Sequence, residues 1–128
     1  MAKYLSKEWA DEVIQTLNAD DAVKGAIQGV ELCIQQVVTD VPDEGEAKYW
    51  TKFSGGEVSG GLGEAADDDV TISQNYETAV AMAKGDLNAQ AAFMQGKLKV
   101  TGNMGKLLQH QGAMGALGPA LAKVKTEF

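Results

Sequence analysis

Among its 128 residues the chain has no arginine, one cysteine, one histidine and two prolines. Each shortage closes off a class of protein. Arginine is the side chain that grips phosphates bidentately. Without it, and at a net charge of −7, nucleic acid is not an expected partner, because such binding rests on neutralising phosphates with cations. The lone Cys33 excludes an internal disulfide and a cysteine-built zinc site. No apolar run approaches the ~20 residues of a membrane-spanning helix. The opening stretch, MAKYLSKEWADE, lacks the apolar core of a signal peptide. Thr126-Glu127-Phe128 is not the Ser-Lys-Leu peroxisomal address. The expected setting is a reducing cytoplasm.

Catalytic patterns are missing too. No serine occupies a G-x-S-x-G elbow. Gly96-Lys97 and Gly105-Lys106 resemble the tail of a P-loop, but Ala91 and Val100 stand where its upstream glycine belongs, and leucine follows each lysine. Gly60-Gly61-x-Gly63 follows a strand pattern without opening a helix, so the dinucleotide fingerprint fails. Asp67-Asp68-Asp69 lacks the alternating oxygens and the glycine of an EF-hand loop and is expected to be a solvated strand entry. Cys33 falls mid-strand, where a small buried hydrophobe is usual. His110 falls at a helix end, where it suits the C-terminal dipole. The expectation is a non-enzyme with no metal site and no cofactor.

What remains is an apolar, soluble composition: 45% hydrophobic and 23% charged residues, enough for one domain with a real core. Charge is divided unevenly. Residues 1–87 carry six lysines against seventeen acids, a balance of −11, whereas residues 88–128 carry five lysines against Glu127, a balance of +4. Lys97 and Lys99 either line the solvent face of a strand or form a mildly basic face that meets anionic lipid headgroups or a ligand carboxylate.

Periodicity orders the chain. Ser6 caps a helix to about Asn18, with Leu5, Trp9, Val13 and Leu17 in one stripe. Asp20 or Asp21 opens a shorter helix that stops near Gly29. Strands follow at 30–40, 47–54, 57–62 and 70–73, with a Gly55-Gly56 hairpin between the second and third. A helical stripe of Tyr76, Ala79, Val80 and Ala83 comes next, then a short helix through Met94. Ala113 to Lys125 is amphipathic but interrupted by Gly112, Gly115, Gly118 and Pro119, which lower helicity by about 1 kcal/mol per glycine and ~3 per interior proline. That tail is expected to act as a mobile lid over residues 113–128 of a single domain, 1–128. The order is α+β, with one face of the sheet covered by helices.

The most informative stretch is AFMQGKLKVTGNMGKLL, 92–108. Gly96 ends a helix, Lys97 to Thr101 alternates as a strand, Gly102 reverses the chain, and Asn103 caps a helix carrying Met104, Leu107 and Leu108. Phe93-x-x-Gly96-Lys97-Leu98-Lys99-Val100-x-Gly102-Asn103 resembles the signature of the sterol carrier protein type 2 family, intracellular lipid-binding and lipid-transfer domains. The order of elements agrees from about Ser6 to Lys125. The resemblance implies a five-stranded, mostly antiparallel sheet with the signature strand as a member, and an apolar tunnel between sheet and C-terminal helices. It implies a carrier of one apolar ligand, a fatty acid, acyl ester or sterol-like lipid. The alternative is an accessory domain presenting such a substrate to a partner enzyme. Transient contact with a membrane surface is also expected. The ligand-binding residues it implies are Met104, Leu107, Leu108, Met114, Leu117, Leu121, Phe93, Met94 and Ile72.

Overall fold

The computed structural model describes residues 2–84, 86–87, 89–110, 112–113, 116, 119–120, 123–124 and 126–127. Two helices come first. In α1 (Lys7–Ala19) the Ser6 hydroxyl accepts from the Trp9 N–H, and the buried residues are Trp9, Ala10 and Leu17, on or beside the apolar stripe. Asp20 ends α1 and caps α2 (Asp21–Ala26), its carboxylate accepting from the Val23 N–H. Four strands then follow: β2 (Leu32–Val41), β3 (Gly45–Ser54), β4 (Glu57–Leu62) and β5 (Val70–Asn75). After them come α3 (Tyr76–Ala83), α4 (Ala89–Met94), β6 (Lys99–Gly102) and α5 (Met104–Gln109).

Among the described residues these strands form a five-stranded sheet in the order β4-β3-β2-β5-β6. The β2–β5 pair is parallel and the other three are antiparallel. The α+β class and the mostly antiparallel sheet agree with the sequence. β5 runs two residues further than its alternation predicts, to Asn75, because the pairing with β2 continues through Gln74 and Asn75; Asn75 then caps α3 through the Thr78 N–H.

A second pairing has no counterpart in the sequence expectations. The chain's two ends meet as a parallel two-stranded ribbon, β1 (Ala2–Lys3) beside β7 (Thr126–Glu127), with the Tyr4 N–H donating to the Glu127 carbonyl at 2.9 Å. Two-residue strands carry no periodic signal, so only chain closure reveals them.

The register defines the faces. On the inner face Leu32, Ile34, Gln36 and Val38 of β2 lie beside Phe53, Thr51, Tyr49 and Ala47 of β3. Val70, Ile72 and Gln74 of β5 continue that face, with Val100 of β6 opposite Ile72. Two apolar clusters cover it. One gathers Leu17, Val23, Ile27, Ile34, Phe53, Val58 and Val70 with Ala113 and Ala120. The other gathers Trp9, Ala10, Val38 and Ala79 with Tyr4 and Leu5, where Trp9 packs edge-on against Tyr49 at 5.3 Å.

Candidate functional site

The stretch 92–108 is anchored at both ends by backbone geometry. Gly96, at φ 75°, takes the left-handed turn that ends α4, and the Lys97 N–H closes back on the Ala92 carbonyl at 2.9 Å. Gly102, at φ 104°, sits so close to β5 that an added Cβ would lie 2.5 Å from the Asp69 carbonyl. The Asn103 N–H then donates to that carbonyl at 2.8 Å, and the Asn103 side chain caps α5 through the Lys106 N–H at 3.0 Å. Lys106 Nζ reaches the Asp69 carboxylate at 3.2 Å. Two adjacent residues and one aspartate thus fix where α5 starts relative to the sheet.

Asp69 corrects the expectation of a solvated acidic run. Its carboxylate accepts from the Cys33 N–H at 2.8 Å while its own N–H donates to the Cys33 carbonyl. Partial burial pulls its pKa up, but the Cys33 N–H and the Lys106 ammonium outweigh that, and the net shift is downward. Asp68 accepts from the Thr71 hydroxyl at 2.7 Å. Cys33 is buried, and burial followed by the Asp69 and Asp68 charges raises its thiol pKa, keeping it protonated. His110 caps the end of α5 with its backbone N–H.

The residues proposed from sequence to touch a ligand fall into three groups. Ile72, on the inner face of β5, and Leu107, on α5, both pack against the first apolar cluster, and Met104 is half-buried at the start of α5. Phe93, Met94 and Leu108 are 47, 79 and 60% exposed and present their apolar surface outward. Met114, Leu117 and Leu121 lie outside the described residues. Within the tail, Ala113 and Ala120 are buried in the first cluster, and Lys123 Nζ meets the Asp20 carboxylate at 2.8 Å. That ion pair, and then the Val23 N–H, hold Asp20 below the usual carboxylate range.

Sequence reasoning passed over two inner-face residues, Gln36 and Gln74. They lie between the two apolar clusters, where Gln74 Nε2 donates to Gln36 Oε1 at 3.3 Å. Gln74 is 5% exposed, and its Oε1 is buried without a hydrogen-bond partner. An unpaired buried carbonyl costs about 1–3 kcal/mol. The signal that finds them is period-2 alternation: both stand at positions that Val38 and Ile72 predict to be inward-facing.

The outer face is different in chemistry. It holds a cleft of about 240 Å³ lined by Gln35, Lys48, Glu64, Asp68 and Thr71 among others. The inner-face positions that pair in β2 to β6 carry no charged side chain. Among the described residues no group of three His, Cys, Asp or Glu side chains is placed to hold a metal ion, and no helix is long and apolar enough to cross a membrane.

Such a sheet, with one uncharged face roofed by helices, defines a domain built around an apolar interior. The SCP-2 sterol transfer family model matches residues 11–115, and the chain belongs to that family. It is 33% identical over 87 residues to "Sterol carrier protein 2" of Gallus gallus, covering 68% of this chain and 16% of that protein. It is 32% identical over 104 residues to "Peroxisomal multifunctional enzyme A" of Dictyostelium discoideum, covering 75% of this chain and 22% of the enzyme. The chain therefore spans about a fifth or less of these curated relatives. Among solved structures, a crystal structure of sterol carrier protein 2 superposes with a TM-score of 0.82 at 22% identity, covering 96% of this chain and 100% of that one, a likeness of fold.

Proposed function

We propose that this chain is a cytoplasmic carrier that encloses one apolar ligand, a fatty acid, acyl ester or sterol-like lipid, in a tunnel between the inner face of the sheet and the C-terminal helices. The observation that carries this reading is the uncharged inner face, roofed by helices in a member of the sterol transfer family. Burial is the mechanism. At ~0.8 kcal/mol per CH₂ a sixteen-carbon chain offers roughly 12 kcal/mol, and association losses of several kcal/mol leave micromolar to nanomolar affinity.

Ile72, Leu107 and Met104 are proposed as interior contacts, with Met114, Leu117 and Leu121 on the cover. Phe93, Met94 and Leu108 are better suited to the mouth, where exposed apolar side chains beside Lys97, Lys99 and Lys106 fit transient contact with a membrane surface. Residues 113–128 act as the lid in this reading, latched at Asp20–Lys123. Mass spectrometry of organic extracts from gently purified protein tests it. A stoichiometric apolar compound is expected. An empty extract, with no displacement of a bound fluorescent fatty acid, overturns it.

A second reading is favoured by the length of the relatives: the domain presents an apolar substrate to a partner enzyme. Co-purification of such an enzyme separates it from a free carrier.

A further inference from the structure

Resting on the carrier reading above, we infer that the interior selects ligands bearing a neutral hydrogen-bond donor, a hydroxyl above all, and that Gln74 is the residue that selects them. Two glutamines stand on a face that is otherwise Leu, Ile, Val, Phe, Tyr, Thr and Ala at its paired positions on β2, β3 and β5. Gln74 lies beside Val38, and Gln36 lies beside Ile72 and Tyr49, so the pair occupies the seam between the two apolar clusters. The bond from Gln74 Nε2 to Gln36 Oε1 at 3.3 Å orients the Gln74 amide and leaves its Oε1 buried and unpartnered.

Only something that enters the interior can meet that oxygen. It is an acceptor, so a carboxylate or an ester, which bring acceptors alone, gain nothing there and meet like partial charge. A long-chain alcohol, a sterol hydroxyl or a monoacylglycerol brings an O–H into a water-poor site, where a satisfied hydrogen bond discriminates strongly against an analogue that lacks it. The shared chemistry is one hydroxyl at the end of an apolar body.

The test uses two probes of nearly equal size, 1-hexadecanol and hexadecyl methyl ether, each titrated against the full chain loaded with a fluorescent fatty acid. The alcohol is expected to bind at least tenfold more tightly than the ether, and Gln74→Met is expected to erase the difference by weakening the alcohol alone. Methionine suits the apolar surroundings, and a circular dichroism melt verifies its fold. Equal affinity for the two probes in the parent chain overturns the inference, leaving the carrier reading intact; it means that an ordered water alone satisfies Oε1. A preference that survives Gln74→Met overturns the role of Gln74. If neither probe displaces the fatty acid and the extract is empty, the carrier reading falls and this inference falls with it.

Discussion

Gln35 and Gln36 are neighbours in β2, yet they serve opposite faces of the sheet, and their surroundings differ in kind. Gln35 turns outward and is fully employed. Its Nε2 donates to the carbonyls of Tyr49 and Gly63 at 3.0 Å each, and its Oε1 accepts from the Ala65 N–H at 2.6 Å. It staples the segment after β4 across the outer face, which explains why it is only 6% exposed although it points away from the two apolar clusters. Gln36 turns inward and meets Gln74, whose oxygen has no partner. A buried amide with every atom paired is a structural fastener. One with an atom left over, as at Gln74 Oε1, is not accounted for by the fold's own hydrogen bonds. The outer face is therefore the sheet's fixed side, and on the inference drawn from Gln74 the inner face is its receiving side.

The largest effect that sharpens this contrast lies at the inner face. Phe53 is fully buried opposite Val58, and Phe53→Ala is expected to destabilise the fold by about 3–5 kcal/mol in a denaturant titration. A loss below 1 kcal/mol means that this end of the interior already accommodates a void. Next comes the outer staple. Gln35→Leu strands two carbonyls and one N–H and is expected to cost about 3 kcal/mol, with faster hydrogen exchange at Ala65. Gln74→Met is expected to move stability by under about 1 kcal/mol, because it removes one unpaired buried oxygen but also takes the donor from Gln36 Oε1, two effects that offset. If Gln35→Leu and Gln74→Met destabilise equally, the distinction between fastener and receiver fails.

A smaller effect separates the faces by pH. The Asp69 pKa is lowered in the folded chain, so its contribution is present above the unfolded carboxylate range of about 4 and is lost as pH falls through the lower folded value. Asp69→Asn is expected to flatten the acid limb of a stability-against-pH curve and to loosen α5, read as increased exchange at Lys106. An unchanged acid limb removes Asp69 from that role. Smallest of all, Lys48→Met breaks exposed pairs with Glu64 and Glu46 and is expected to shift stability by less than ~1 kcal/mol.

Much of this was legible before any coordinates. Ser6, Asp20 and Asn103 announce helix starts because a short polar side chain ahead of an apolar stripe satisfies free N–H groups. Gly55-Gly56 announces the hairpin, and the two residues take φ 61° and 76°. The signature at 93–103 pointed to the family. The site was less legible. Leu108 and Met94 belong to apolar patterns that promise burial, but burial depends on which side of a short helix meets the sheet.

By itself the sequence determined the local elements, their caps and which residues along each strand share a face, because 3.6- and 2-residue periods are properties of the chain's own geometry. Tertiary structure alone decided that β2 runs parallel to β5, that the ends pair as β1 and β7, and that Asp69 joins Cys33 to α5. It alone placed Gln36 against Gln74. That meeting depends on the register of two strands some forty residues apart, and register is set by burial of the whole inner face at once, because a slip of one residue would turn every inward side chain to solvent.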